Sequence, residues 1–170
     1  MSLPADLLSQ AENLVRKEPR RPRQASLRRA ISTAYYALFH LLLDEASTFL
    51  TRGSHRGLKH LVSRAFEHAE MKNAAKAFAG GTLKDNLADR IGGKAVPIDL
   101  RQVAQAFLDL QEARHEADYD LSRTFTKRAA EDLVEVARRA FGAWSNVRKE
   151  PVARAFLICL LSYNRLSKRR

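Results

Sequence analysis

Residues 34–43 read AYYALFHLLL, and this run of aromatic and aliphatic side chains decides the fold. Placed on a helix, the run is apolar nearly all the way round, which is the pattern of a helix buried on every side. The helical pattern around it extends from about Ser26 to Thr51, and no strand-like alternation interrupts it. The stretch therefore predicts a long central helix in an all-α protein.

Proline and glycine residues divide the rest of the chain into further helical segments. We expect a single domain over residues 1–170, with a helical core at 24–147, a basic linker at 16–25 and a C-terminal helix at 150–167 followed by a basic tail. The long connection between residues 82 and 97 has room for one short helix. We expect an antiparallel helical bundle of five to six helices, predicted at about 4–18, 26–51, 58–78, 99–121, from 127 onward, and 151–166.

The chain is strongly basic, with 30 Lys and Arg against 19 Asp and Glu and a net charge of +11. The charge is clustered, which points to a polyanionic partner such as nucleic acid, an acidic protein or a membrane surface. The alternative is that part of the excess only solvates the surface. The first cluster comprises Arg16, Lys17, Arg20, Arg21, Arg23, Arg28 and Arg29, and the second comprises Arg165, Lys168, Arg169 and Arg170.

Cysteine and histidine usage argues against disulfides and metal sites. The one cysteine, Cys159, lies in the apolar run AFLICLL, and His60 and His68 are two helical turns apart. We therefore expect no metal and no other cofactor. The start of the chain lacks the features of a signal peptide, and its apolar runs are too short to span a bilayer. These patterns predict a cytoplasmic protein without a membrane segment.

Arg114 lies on the apolar face of the helix predicted to begin near Asp99, between Leu110 and Ala117. A guanidinium cannot be desolvated there without paired acceptors, so its position needs an explanation. One explanation is an ion pair with Asp118, four residues on and therefore on the same helix face. The other is that the helix borders a cleft in which Arg114 binds an anion such as phosphate.

The central helix also carries a polar stripe at steps of three and four residues: Arg29, Thr33, Tyr36, His40 and Asp44. The Asp44 carboxylate could orient the imidazole of His40 and raise its basicity. The alternative is that Tyr36 and His40 are amphipathic core residues whose polar tips bind the backbone.

Two motifs together resemble a known family. The sequence AISTAYYALFH at 30–40 and the sequence ARHEADYD at 113–120 are similar to those of the HEPN family, which is named for its occurrence in higher eukaryotes and prokaryotes and for nucleotide binding. The resemblance covers residues 27–144 and implies an antiparallel helical bundle that forms a homodimer. Many HEPN proteins are metal-independent ribonucleases with an Arg and a following His at the dimer cleft. Others are binding modules, often the toxin-like partner of a small nucleotidyltransferase.

The family arginine corresponds to Arg114, but the histidine expected after it is absent. The family spacing falls on Tyr119, Asp120 and Leu121, and His115 points about 100° away around the helix. His40 or a histidine of a second subunit could take that role. The predicted site residues are Arg114, His40 and Tyr119 for catalysis, Arg114, Arg29, Arg20, Arg21 and Arg23 for phosphate or nucleic-acid binding, and Asp118, Tyr36, Asp44 and His115 in support.

The resemblance and the charge together predict a helical module that binds RNA or a nucleotide-linked partner such as a nucleotidyltransferase. Two alternatives stay open. The chain could be an active metal-independent endoribonuclease, which needs a base for the 2′-hydroxyl, an acid for the leaving oxygen and positive charge on the phosphorane. It could also be a protein-interaction scaffold in which the Arg114–Asp118 pair only specifies packing.

Overall fold

A computed structural model of the chain describes residues 2–52 and 56–168, and within these ranges the protein has eight helices and no strand. The predicted all-α class is confirmed. The basic residues Arg169 and Arg170 lie outside the described residues. The helices are α1 Leu3–Arg16, α2 Gln24–Leu50, α3 Arg56–Ser63, α4 His68–Ala79, α5 Asp85–Ile91, α6 Ile98–Tyr119, α7 Lys127–Val147 and α8 Pro151–Leu166.

The helix predicted at 58–78 is divided into α3 and α4, which is one reason why the count differs from five to six. The hydroxyl of Ser63 donates to the carbonyl of His60 at 2.8 Å, a local bond that competes with continuation of the helix. Glu67 is extended, with φ −113° and ψ 136°, and α4 begins at the next residue. A hydrophobic pattern that continues across the turn concealed this break.

The other reason is α5, which lies in the long connection between residues 82 and 97, where the sequence has room for one short helix. It ends at Ile91 and is capped by Gly92, whose φ of 78° is left-handed and suits a residue without a Cβ. Two backbone hydrogen bonds close the connection: Leu83 N donates to Lys94 O at 2.9 Å, and Val96 N donates to Gly81 O at 3.0 Å. The segment is therefore a closed loop around a helix.

The chain forms two compact units, each assembled from two separate stretches of sequence. The first comprises residues 1–41 and 106–142, and the second comprises residues 42–105 and 143–170. The boundary falls inside α2, α6 and α7, so each of these helices contributes to both units.

The first unit is packed around the apolar residues predicted for the central helix. Ile31, Tyr35 and Leu38 of α2 are buried, and Phe107 and Leu110 of α6 are buried with them. The rings of Tyr35 and Phe107 lie 5.7 Å apart. Burial of each large apolar side chain of this kind contributes about 2 kcal/mol to the free energy of unfolding, and these contributions together stabilise the helices of the first unit.

The predicted basic linker corresponds to residues 17–23, between α1 and α2. One acidic residue orders it: Glu18 accepts the backbone N–H of Arg23 at 3.3 Å and the hydroxyl of Ser26 at 3.1 Å. The first turn of a helix leaves N–H groups without helical partners, and contacts of this kind fix the path of the chain into the helix. The linker therefore joins α2 in a defined conformation.

The second unit has its own apolar core, in which the rings of Phe78 and Phe156 lie 4.9 Å apart. Its helix α8 departs from helical geometry at Ser162, where φ is −159° and ψ is 47°. The carboxylate of Glu70 accepts the backbone N–H of Asn164 at 2.9 Å and the Asn164 side-chain amide at 2.6 Å. A side chain of α4 thereby satisfies a backbone donor that the irregular turn of α8 leaves without a helical partner.

Candidate functional site

Arg114 lies near the end of α6 with 22% of its side chain exposed. Its guanidinium contacts polar groups on two helices, α6 and α2. Its Nε lies 2.8 Å from Asp118 Oδ2, and its Nη2 donates a hydrogen bond to the hydroxyl of Tyr36 on α2 at 2.8 Å. The Nε–H does not meet the geometry of a hydrogen bond, so the Asp118 contact is an ion pair and the bond to Tyr36 is the directed one. The predicted pairing with Asp118 is confirmed.

Three tyrosine rings surround the guanidinium. The Cζ atom of Arg114 lies 5.9 Å, 5.5 Å and 5.4 Å from the ring centroids of Tyr35, Tyr36 and Tyr119 respectively. These distances are within the range of cation–π attraction. We call the set of Arg114, Asp118 and the three tyrosines the Arg114 cluster. It lies within the first compact unit.

The charge of Arg114 is stabilised although the side chain is partly buried. Burial works to lower the pKa of Arg114, but contact with Tyr36, followed by Asp118 and Tyr119, outweighs it and raises the pKa above its ordinary value. The guanidinium therefore supplies a fixed positive charge across the physiological pH range.

Asp118 is held from the opposite side by Ser32, a residue that the sequence did not single out. The hydroxyl of Ser32, on α2, donates to Asp118 Oδ1. Ser32 is buried and lies four residues before Tyr36, so both side chains are on one face of α2. That spacing was the available signal, but the predicted polar stripe ran through Thr33 and did not include Ser32.

The end of α6 is fixed by Arg28, which the sequence assigned to the basic clusters. Its Nη1 donates to the carbonyl of Ala117 at 2.8 Å, and its Nη2 donates to the carbonyls of Asp120, at 2.9 Å, and Arg123. The last carbonyls of a helix have no helical partners, and a cation there is also favoured by the helix dipole. Arg28 thus holds the segment that carries Tyr119.

His40 lies one turn after Tyr36 on α2, with ring centroids 6.4 Å from Tyr36 and 5.3 Å from Phe39. Burial lowers the pKa of His40 below its ordinary 6.5, which favours the neutral imidazole. The predicted support from Asp44 needs correction, because no hydrogen bond or ion pair joins these two described residues. The Asp44 carboxylate pairs with Lys59 Nζ at 3.4 Å, since the lysine offers a full charge and the imidazole does not.

His115 and Tyr119 form a tilted ring pair on α6, with an interplanar angle of 50°. Their ring centroids are 5.2 Å apart, as expected for residues four positions apart on a helix. Tyr119 is 63% exposed, and the guanidinium of Arg114 is also in contact with its ring. An exposed aromatic ring therefore borders a fixed positive charge.

The other predicted basic residues are exposed but are not part of this cluster. Arg29 is on the surface of α2, and Arg20 and Arg21 are exposed in the linker. Arg23 is also exposed, with its Nε 3.8 Å from Glu18. The structure thus brings together Arg114, Tyr36, Asp118 and Tyr119, and the rings of His40 and His115 lie next to Tyr36 and Tyr119. Among the described contacts, no hydrogen bond or ion pair joins the four surface arginines to this cluster.

Among the residues that the structure describes, no group of three or more His, Cys, Asp and Glu side chains is placed to hold a metal ion. None of the described helices combines the length and apolar character needed to cross a membrane. Comparison of the chain with protein-family models, curated proteins and solved structures found no match in any of the three.

Proposed function

We propose that the chain is a HEPN-type antiparallel helical bundle that binds RNA, or a nucleotide-linked partner, through a phosphate contact at Arg114. The observation that carries the proposal is the position of the guanidinium: it is fixed by Tyr36 and Asp118 yet 22% exposed, beside the exposed ring of Tyr119. Arginine matches phosphate oxygens with its planar fork of donors. The net charge of +11 would draw a polyanion toward it.

The guanidinium has donors left for a ligand. An arginine side chain carries five N–H donors. Its hydrogen bond to Tyr36 uses Nη2, and among the described residues Nη1 donates to no protein acceptor. The carboxylate of Asp118 also accepts a hydrogen bond from the Ser32 hydroxyl, so Arg114 is not the one group that stabilises its charge. A phosphate oxygen could therefore bind Arg114 without first displacing Asp118.

The test is RNA binding in the presence of EDTA, measured by fluorescence anisotropy with a labelled single-stranded RNA. We expect Arg114→Ala to weaken binding by about tenfold or more, as for loss of a charged hydrogen bond. Arg114→Lys keeps the charge but loses the planar fork of donors, so its RNA affinity should lie between those of the parent protein and Arg114→Ala. Arg114→Ala should also reduce the slope of log affinity against log salt by about 0.7, the contribution of one phosphate contact to a single strand.

Arg90→Ala is the matched control, because Arg90 is an exposed arginine on α5 in the other compact unit. Its binding should stay within about twofold of the parent protein. Equal losses in both variants would mean that RNA senses only the total charge, and would overturn the assignment to Arg114. Circular dichroism and thermal unfolding of each variant verify that it is folded.

A second candidate, a metal-independent endoribonuclease, is favoured by one observation. The ring of His40 borders Tyr36, which binds Arg114, and burial lowers the pKa of His40 so that a neutral imidazole is present at pH 7. In this function His40 is the acid–base group, Arg114 stabilises the phosphorane and Tyr119 donates a hydrogen bond. Cleavage of RNA in EDTA that is lost in both His40→Gln and Arg114→Ala would support it.

The remaining alternative is a scaffold in which the Arg114–Asp118 pair only specifies packing. Arg114→Met separates it from RNA binding. Because this change removes one partner of the ion pair and leaves the Asp118 carboxylate charged, folding of the variant is verified first by thermal unfolding. A folded Arg114→Met protein with unchanged RNA affinity would favour the scaffold. The proposed homodimer and nucleotidyltransferase partner are tested separately, by light scattering of the purified protein and by co-purification with a candidate partner.

A further inference from the structure

Tyr119 is a large aromatic side chain in an unusual position. It is the last residue of α6 and is 63% exposed, and Leu121, two residues later, is 91% exposed. An exposed aromatic ring offers an apolar face on which a ligand ring can stack. The exposed fraction alone does not identify such a ligand, but the groups around the ring restrict the chemistry that the ligand can have.

The ring is exposed and at the same time held in place. The guanidinium of Arg114 lies 5.4 Å from its centroid, and the ring of His115 lies 5.2 Å from it. The backbone on either side is also fixed, because Arg28 binds the carbonyls of Ala117 and Asp120. A ring supported in this way loses little conformational freedom when a ligand stacks on it.

A nucleotide has the two chemical groups that this arrangement matches. Its phosphate is an acceptor for Arg114, and its base is a flat ring carried by the same sugar as that phosphate. A base inside a duplex is already stacked between its neighbours and cannot reach a protein ring, whereas an unpaired base can. The pairing of a guanidinium with an adjacent exposed tyrosine therefore fits single-stranded RNA.

We infer that Tyr119 is a stacking platform for an unpaired nucleobase, and that the ligand of the Arg114 cluster is single-stranded or looped RNA and not duplex RNA. The inference rests on the proposed function, because it assumes that phosphate binds at Arg114. It assigns Tyr119 a role that depends on its ring, whereas the catalytic role considered above depends on its hydroxyl.

Two substitutions separate the ring from the hydroxyl. Tyr119→Phe keeps the ring, and we expect its affinity for single-stranded RNA to stay within about twofold of the parent protein. Tyr119→Leu keeps an apolar side chain without the ring, and its affinity should fall by at least about fivefold, the smaller end of the range for loss of one stacked base. Tyr119 is exposed, so neither change removes core packing.

Stacking is measured directly with a single-stranded RNA that contains 2-aminopurine, whose fluorescence falls when the base stacks on a ring. The signal should fall with the parent protein and with Tyr119→Phe but not with Tyr119→Leu. The same strand annealed to its complement should bind at least about fivefold more weakly to the parent protein. Inorganic tripolyphosphate, a probe without a base, should bind the parent and the leucine variant equally.

Each outcome has one meaning. Unchanged binding of single-stranded RNA in Tyr119→Leu, with loss in Arg114→Ala, would overturn the stacking role and leave the proposed function in place. Equal affinity of the parent protein for duplex and single strand would also overturn it. A parent protein that binds neither RNA would overturn the proposed function. A loss in Tyr119→Phe equal to that in Tyr119→Leu would show that the hydroxyl, and not the ring, makes the contact.

Discussion

The side chain of Gln24 pairs with both backbone groups of Phe125, a residue 101 positions away in sequence. Its Nε2 donates to the Phe125 carbonyl at 2.7 Å, and its Oε1 accepts the Phe125 N–H at 2.9 Å. The first residue of α2 thus binds the segment that follows α6 through one donated and one accepted backbone hydrogen bond, as paired residues of neighbouring strands do. This pair, like the contacts of Arg28, fixes the segment that follows Tyr119.

The Gln24 pair predicts a large effect from a small change. Gln24→Glu keeps the acceptor for the Phe125 N–H but places a carboxylate oxygen against the Phe125 carbonyl. We expect the free energy of unfolding at pH 7 to fall by about 1–2 kcal/mol, the cost of leaving a partly buried backbone group without its partner. Urea denaturation measures it. A change below about 0.5 kcal/mol would contradict the pairing.

Arg28 and Arg29 provide a matched comparison, because they are neighbours on α2 and differ in their contacts. Arg28 donates to three backbone carbonyls, whereas Arg29 is exposed. We expect Arg28→Ala to lower the free energy of unfolding by about 1.5–3 kcal/mol, and Arg29→Ala to change it by less than about 0.5 kcal/mol. Thermal and urea unfolding of the two variants measure the difference. Equal effects would contradict the anchoring role of Arg28.

Gly81 and Gly92 both have left-handed backbones, with φ of 80° and 78°, but differ in the space around them. A Cβ at Gly81 would lie 3.0 Å from Arg101 Nε, whereas a Cβ at Gly92 would meet no atom within 4 Å. Each change to alanine should cost about 1 kcal/mol for the backbone conformation. We expect Gly81→Ala to cost more, and Arg101→Ala in the same protein to remove the excess. Urea denaturation of the four proteins measures it.

The imidazole of His40 predicts how stability depends on pH. Because burial lowers its pKa below 6.5 in the folded protein, the unfolded chain binds more protons between the two values. His40 therefore costs no stability above pH 6.5, and its contribution becomes unfavourable as the pH falls through 6.5 toward the folded pKa. NMR titration should place the folded pKa below 6.5. His40→Gln should reduce the loss of stability between pH 7.5 and pH 5.5.

The thiol of Cys159 should be unreactive in the folded protein. It is 1% exposed, and burial raises its pKa to about 12, so the reactive thiolate is scarce at neutral pH. We expect a thiol reagent such as Ellman's reagent to label the native protein only as fast as local or global unfolding exposes Cys159. In guanidinium chloride, the reagent should label the unfolded protein at once. Rapid labelling without denaturant would contradict the burial of this residue.

Contacts within one helix were the part of the site that sequence reasoning could predict. The pairing of Arg114 with Asp118 follows from a spacing of four residues, and the 2.8 Å contact confirms it. Contacts between helices were not predictable in the same way. Ser32 and Asp118 are 86 residues apart, and their hydrogen bond depends on how α2 packs against α6.

The two corrections have different physical reasons. Asp44 and His40 have the spacing of a pair, but Lys59, 15 residues beyond Asp44, is brought to the carboxylate by the fold and carries the stronger charge. The break between α3 and α4 depends on the hydrogen bond of the Ser63 hydroxyl and on the extended backbone of Glu67, whereas hydrophobic spacing continued across both residues. Periodicity reports which face of a helix is buried and does not report where a helix stops.

The division of α2, α6 and α7 between two units has a consequence for experiments on this protein. Neither unit is a contiguous stretch of sequence, and the unit that holds Arg114 needs residues 1–41 together with 106–142. A single truncation of the chain therefore cannot isolate that unit, because residues 42–105 of the other unit lie between its two stretches. A cut at either unit boundary would also divide α2, α6 or α7, so loss of binding in a truncated protein would not identify which residues bind. The role of each residue of the Arg114 cluster has to be measured in the full chain, by substitution of one side chain at a time.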